Sequence, residues 1–170
     1  MEQNPPTRNG IIKKMPIILS DEDNEKKLPK KQAGTAVLFL NTKGELLIIK
    51  PNYKSGWLVP GGAADDDESP LRCDTNEIKD EIGLDIIDLQ LVGVYYGHKK
   101  YGLGDSLKFI FWGGILTEHL VPQIKLQNEE LEKFTFATPE SAVPLLSKSL
   151  QKSISKCLET LKNKSVAYIE

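Results

Sequence analysis

The sequence predicts an α/β fold, and three observations predict it. Short apolar runs such as Val37-Leu38-Phe39-Leu40 are separated by turn residues, the pattern of buried strands. A helix opens at Ser69-Pro70, a cap followed by a first-turn proline, and stops at Gly83. Near the C-terminus Leu146, Leu150, Ile154, Cys157, Leu158 and Leu161 recur at helical spacing, as in an amphipathic helix that covers one face of a sheet. The length of 170 residues suits one domain, and a net charge of −2 gives no global pull toward nucleic acid or anionic membrane. No apolar run approaches a membrane span, and the polar, Pro-containing start lacks the layout of a secretory signal. Cys73 and Cys157 form no disulfide framework, so a reduced, cytoplasmic setting is the expectation. Neither has a His partner nearby in sequence, which leaves a Cys nucleophile weakly supported.

Residues 1–31 read as an extension, partly disordered, with the apolar piece Met15 to Leu19 between charged flanks. Ala33 to Leu40 reads as a strand, Asn41-Thr42-Lys43-Gly44 as a turn and Glu45 to Lys50 as the return strand of a hairpin. A loop then leads to Trp57. Tyr53 and Trp57 are candidates for lining a base-binding cleft, although aromatic rings beside a core strand more often pack. After the capped helix, Leu89 to Tyr96 reads as a strand. The following loop carries His98, Lys99 and Lys100. The lysines are candidates for meeting phosphate and His98 for a base, against the plainer reading of solvated loop side chains. Leu107 to Leu116 reads as a long strand, with Gly113-Gly114 marking a bulge. Glu132 to Ala137 reads as a last strand. A helix then starts at Thr138-Pro139 and is interrupted at Pro144, and residues 163–170 read as a tail.

The chemistry concentrates between Gly61 and Leu84. A Gly pair is followed by Asp65, Asp66, Asp67, Glu68, Asp74, Glu77, Asp80 and Glu81, offset only by Arg72 and Lys79. Like charge at this density destabilises a compact fold unless cations sit among it. At 100° per residue Leu71, Thr75, Ile78 and Ile82 share one stripe. Asp74, Glu77 and Glu81 share another, with Asp80 at its edge. Glu77 and Glu81 stack on adjacent turns, where a hard ion such as Mg²⁺ between them would make a site. The plain alternative is a solvated acidic helix face.

The stretch resembles the Nudix box. Gly62 and Glu68 take the first Gly and Glu of that pattern, and Glu77, Ile78, Asp80, Glu81, Ile82, Gly83 and Leu84 follow in register. Trp57-Leu58-Val59-Pro60-Gly61 resembles the usual lead-in. Asn76 stands where the family has Arg, Asp80 where it has Glu, and Asp74 where it has a small apolar residue. Asn76 can donate a hydrogen bond to a carboxylate but not a charge-assisted fork. The resemblance covers about Gln32 to Lys162. It implies an α/β/α sandwich, a mixed sheet with the motif helix on one side and the C-terminal helix on the other.

The resemblance also implies a site. Glu77 and Glu81 would hold Mg²⁺ or Mn²⁺ with help from Asp80 and the Gly62 carbonyl, Glu68 would support the loop, and Glu81 or an acid outside the box would assist attack of water on phosphorus. Glu118, Glu129 and Glu130 are the candidates for that outer acid. The implied activity is hydrolysis of a pyrophosphate bond in a small-molecule nucleoside diphosphate derivative. The competing reading, prompted by Asn76, is a catalytically weakened nucleotide sensor or scaffold module. An enzyme of RNA ends is disfavoured by the lack of a basic stripe. Homodimerisation is open from the family, and no residue argues for it.

Overall fold

The computed structural model describes residues 30–98 and 105–170. The chain divides into Met1–Lys30 and Lys31–Glu170, and the architecture below belongs to the second unit. The extension expected over residues 1–31 therefore lies almost wholly outside the described residues, as do Lys99 and Lys100.

Six strands form one mixed sheet: β1 (Gln32–Asn41), β2 (Leu46–Pro51), β3 (Gln90–Gly97), β4 (Ser106–Leu116), β5 (Leu131–Ala137) and β6 (Ala167–Ile169), ordered β5-β2-β1-β4-β3-β6. β1 pairs parallel to β4 and antiparallel to β2, β2 antiparallel to β5, and β3 antiparallel to β4. Ala36 to Phe39 and Leu46 to Ile49 are all buried. Such unbroken apolar runs belong to strands covered on both faces, which places β1 and β2 in the interior of the sheet. The motif helix α1 (Pro70–Ile82) covers one face, where Val37, Phe39, Leu47 and Ile49 pack with Ile78 and Ile82. The C-terminal helix α3 (Lys148–Leu161) covers the other, where Ala36, Leu38, Leu46 and Ile48 pack with Leu150, Ile154 and Cys157. Fully burying a side chain such as Ile78 contributes about 1.5–3 kcal/mol.

The expected caps are present. The Ser69 hydroxyl accepts from the Arg72 N–H at 3.3 Å, Pro70 opens the helix, and Gly83 closes it in the left-handed conformation at φ 72°. Pro144 does interrupt the following helix. A short α2 (Pro139–Ala142) runs into a single 3-10 turn (Val143–Leu145) before α3 begins. The bulge expected at Gly113-Gly114 falls at Gly113: Leu38 pairs with Trp112 and Phe39 with Gly114. A Cβ on Gly113 would lie 2.1 Å from the Phe39 ring, so the skipped residue makes room for a core aromatic.

Two expectations are corrected. Residues 163–170 are not a free tail, because Ala167–Ile169 pairs in parallel with β3 as the edge strand β6, with Ala167 and Ile169 buried. Three residues are too few for a periodicity to show, and the pairing is set by the β3 edge. The apolar stripe of α1 is also rotated. Leu71 is exposed, whereas Cys73, Asp74, Ile78, Glu81 and Ile82 are buried. The helix turns part of its acidic side inward.

The site depends on a splay in the sheet. β1 and β2 pair at Leu40 and Leu46, then separate. The segment Leu58 to Ala64 fills the widening gap. Leu58 bonds Ile49 in both directions at 2.9 Å, and Val37 N–H donates to the Pro60 carbonyl at 2.8 Å. Thr35 N–H then donates to the Gly62 carbonyl at 2.8 Å, and Ala64 N–H to the Ala33 carbonyl at 3.0 Å. The Gly pair is thereby laid against β1, directly beneath α1.

Candidate active site

Close packing of backbone on backbone explains the glycines. A Cβ on Gly61 (φ 133°) would lie 2.7 Å from the Thr35 carbonyl oxygen, and one on Gly62 would lie 2.1 Å from Glu77 Oε1. The turn therefore touches β1 on one side and the acidic helix on the other. Gly61 N–H donates to Glu81 Oε2 at 2.9 Å, and Gly62 N–H to the Thr35 hydroxyl at 3.2 Å. The Gly62 carbonyl accepts from the Thr35 backbone N–H at 2.8 Å and from the Thr35 hydroxyl at 3.4 Å.

The carboxylates differ in environment. Glu81 is buried, and burial pushes its pKa up to about 8, opposed by the Gly61 N–H and reinforced by Glu77, Glu130 and Asp74. Glu77 is half-buried. Burial raises its pKa first, then the charges of Asp80, Glu130, Glu68 and Asp65. Asp74 is fully buried, and neither oxygen meets a donor in hydrogen-bond geometry. Burial lifts it to about 7, with the nearby Thr35 hydroxyl moderating the rise and Glu77 adding to it. Asp80 is exposed.

Glu68 is tied at both oxygens. Asn76 Nδ2 donates to Oε1 at 2.9 Å, and Asp65 N–H to Oε2 at 3.4 Å. Asn76 thus spends its hydrogen bond on the loop before the helix. Of the three outer acids, Glu130 is the one whose charge acts on both Glu77 and Glu81. The chain brings it there by running past the end of α1: Lys125 N–H donates to the Ile82 carbonyl at 2.9 Å, and Gln127 N–H to the Glu81 carbonyl at 3.1 Å. The Glu130 carbonyl then accepts from Asn52 N–H at 2.9 Å. Nothing in a single sequence distinguishes Glu130 from its neighbour Glu129, because the selection is made by this return path.

Tyr53 stands 64% exposed with Lys54 Nζ 5.2 Å from its ring centre. Trp57 packs against the core on the α3 side, with Lys133 Nζ 5.8 Å from its ring centre. The acids project from α1, on the other face. His98 is exposed and meets Tyr96 edge-on at 5.0 Å. Burial pushes the Cys73 thiol up to about 11 and Cys157 up to about 12, so both stay protonated and serve as packing. Among the described residues no three His, Cys, Asp or Glu groups stand gathered as a metal cage. The chemistry of the donor set nevertheless fits a hard divalent ion: oxygen donors only, two orphaned buried oxygens on Asp74, and carboxylates held above their usual pKa by burial and mutual repulsion. Sequence reasoning missed two parts of the site, the burial of Asp74 and the Thr35 hydroxyl beneath the turn; a lone Thr in an apolar strand carries no signal.

The comparisons with known proteins agree with this geometry. In sequence the chain is similar to an RNA pyrophosphohydrolase of Marinomonas sp. (strain MWYL1), 30% identical over 70 residues, covering 41% of this chain and 44% of that protein. It is also similar to an RNA pyrophosphohydrolase of Francisella tularensis subsp. mediasiatica (strain FSC147), 29% identical over 76 residues, covering 45% and 49%. The chain spans about half the length of the curated relatives it matches. In structure it is similar to a MutT protein from Methanosarcina mazei Go1, with TM-score 0.63, 19% identity and coverage of 81% and 98%. A UDP-X diphosphatase matches with TM-score 0.66, 16% identity and coverage of 88% and 75%. Identities this low speak to the fold alone. The NUDIX domain model matches residues 30–161, most of the chain. The acidic helix, the glycine turn beneath it and the sandwich around them are thus those of a family, and the chain belongs to it: it is a member of the NUDIX family.

Proposed function

We propose that this chain is a metal-dependent pyrophosphohydrolase that cleaves a nucleoside diphosphate linked to another moiety. The observation that carries the reading is the seating of Glu77 and Glu81 against the Gly61-Gly62 turn, with the charge of Glu130 acting on both and Glu81 raised to about 8. Glu77 and Glu81 would hold Mg²⁺ or Mn²⁺, with Asp80 and the Gly62 carbonyl at the margin. A bound divalent ion would neutralise phosphate charge and acidify water at neutral pH. Glu81 is oriented by the Gly61 N–H, and Glu130 supplies the outer carboxylate that accepts a proton from the attacking water. Glu68, fixed by Asn76 and Asp65, holds the loop against the helix. Tyr53 offers an exposed ring for stacking a base, and Trp57 supports the loop that carries it. Lys99 and Lys100 remain proposed phosphate contacts from the sequence.

The test is a panel of nucleoside diphosphate derivatives incubated with Mg²⁺ or Mn²⁺, with phosphate release read after phosphatase coupling. Metal-dependent turnover of at least one member is expected. Nucleotide binding by calorimetry without turnover under either metal would overturn the reading in favour of a sensor. A second reading is favoured by the curated relatives, which are named RNA pyrophosphohydrolases. A short 5′-triphosphorylated RNA belongs in the panel for that reason, and preference for it over free nucleotides would make RNA the substrate despite the absent basic stripe.

A further inference from the structure

Asp74 stands where the Nudix box has a small apolar residue. It is fully buried, and its two oxygens meet no donor in hydrogen-bond geometry. A carboxylate placed so is unfavourable unless another state of the site supplies it with a partner. Its surroundings point to one group, the Thr35 hydroxyl. Thr35 is buried in β1 and faces α1, with its hydroxyl 3.6 Å from Cys73 Sγ. The same hydroxyl accepts from the Gly62 N–H at 3.2 Å, and a Cβ on Gly62 would lie 2.1 Å from Glu77 Oε1. Asp74 follows Cys73 and lies three residues before Glu77, on the side of the helix that Glu77 shares. It is thereby held over the Thr35 hydroxyl, which is also the group that moderates the rise in its pKa.

That hydroxyl has one hydrogen to give. It now donates to the Gly62 carbonyl at 3.4 Å, long for an O–H···O bond, whose usual length is about 2.7–2.8 Å. The Gly62 carbonyl already accepts from the Thr35 N–H at 2.8 Å. With both donors in place its two lone pairs are taken. A carboxylate is a stronger acceptor than a carbonyl. Turning the hydrogen to Asp74 satisfies a buried oxygen and clears one lone pair on Gly62.

We propose that Asp74 is a positioning residue, which draws the Thr35 hydroxyl hydrogen away and so opens the Gly62 carbonyl to the divalent ion that Glu77 and Glu81 would hold. Asp74 acts through Thr35 and is not itself a ligand. The inference rests on the metal-dependent reading above and adds to it which oxygen is made available, and by what.

The dipeptide Gly-Ala occurs once in the sequence, at Gly62-Ala63. A chain labelled with carbonyl-¹³C glycine and ¹⁵N alanine therefore reports the Gly62 carbonyl alone by NMR. Mg²⁺ is titrated into the full chain at about pH 8, where Asp74 is largely ionised, and affinity is read in parallel by calorimetry. In the unmodified chain the Gly62 resonance is expected to move with the binding isotherm. Asp74→Ala is expected to bind Mg²⁺ about tenfold more weakly, with a Gly62 resonance that no longer moves. Adding Thr35→Val to that variant removes the competing hydroxyl. The resonance should then respond again, with affinity regained about threefold or more. Recovery on loss of a second polar group is a result that a merely structural or electrostatic role for Asp74 does not give. Asp74→Asn keeps an acceptor for the hydroxyl in nearly the same volume and is expected to retain the response. Loss of the response in Asp74→Asn overturns the proposal whether or not the double variant folds. Unchanged binding by Asp74→Ala also overturns it, as does weaker binding with Gly62 still responsive, or a folded double variant without recovery. Mg²⁺ bound by the unmodified chain with Gly62 unmoved overturns this proposal and leaves the metal-dependent reading standing. No Mg²⁺ binding at all defeats both.

Discussion

Asp74 is fully buried, with two oxygens that meet no donor in hydrogen-bond geometry and a pKa raised from 3.8 to about 7. Asp74→Ala removes those oxygens and improves helix propensity. It is expected to stabilise the metal-free protein by about 1–3 kcal/mol at about pH 8, read as a rise in Tm of about 2–4 °C per kcal/mol. An unchanged or lower Tm would mean the carboxylate is satisfied in solution. Asp74 and Glu81 both stand above their ordinary values, so the folded chain holds protons that the unfolded chain has released. Their contribution to stability is complete below about pH 4 and is lost as pH rises through about 7 and about 8. Calorimetric scans in EDTA should show Tm falling over that window, and a flat or rising profile would contradict the assignment. Glu81→Gln keeps an acceptor for the Gly61 N–H, so the fold should survive while activity falls at least about 10²-fold. Full activity in that variant would remove Glu81 from the mechanism.

At the scale of elements, α1 and the glycine turn act as one unit. The two glycines fail differently when substituted. Gly62→Ala drives a Cβ against the end of a flexible Glu77 side chain, which can swing away. The expected outcome is a folded protein whose Mg²⁺ affinity by calorimetry drops about tenfold. Gly61→Ala meets the Thr35 and Ala36 backbone at 2.7–2.9 Å and also needs positive φ, so loss of thermal stability is expected instead. The reverse pattern would show that the turn is not seated as described. Asn76→Arg bears on whether catalysis is weakened: Asn76 now bonds Glu68, and a guanidinium there would give that carboxylate a fork. Higher turnover is expected if orientation limits the rate. The helix, its caps and the register of its acids were legible in the sequence because local spacing specifies them. That Ile78 and Ile82 face inward was legible as well. That Asp74 and Glu81 are buried beside them, and that Leu71 is not, was not legible. Leu71 looked like core and Asp74 like surface, and the neighbouring β1 and turn decided otherwise.

At the scale of the whole molecule, the sheet edge is the part that local reasoning could not find. β6 is three residues long, yet it buries Ile169 and Ala167 beside β3, where Cys157 Sγ would lie 2.4 Å from a Cβ on Gly93. Ile169→Ala is expected to lower stability by about 2 kcal/mol or more, seen as a lower Tm with Mg²⁺ binding intact. No change in Tm would mean that β6 is not docked.

The sequence by itself determined the α/β class, the capped acidic helix, the amphipathic C-terminal helix and the family. Each of these is written in residues close together along the chain, where period, cap and spacing suffice. The tertiary structure alone decided that Glu130, rather than Glu129 or Glu118, lies where its charge acts on both Glu77 and Glu81, and that Asp74 is buried. Those are contacts between residues distant in sequence, set by the splay of β1 from β2 and by the return path past the end of α1. Burial and charge at such contacts depend on what the fold places opposite a residue, which its own neighbours do not encode.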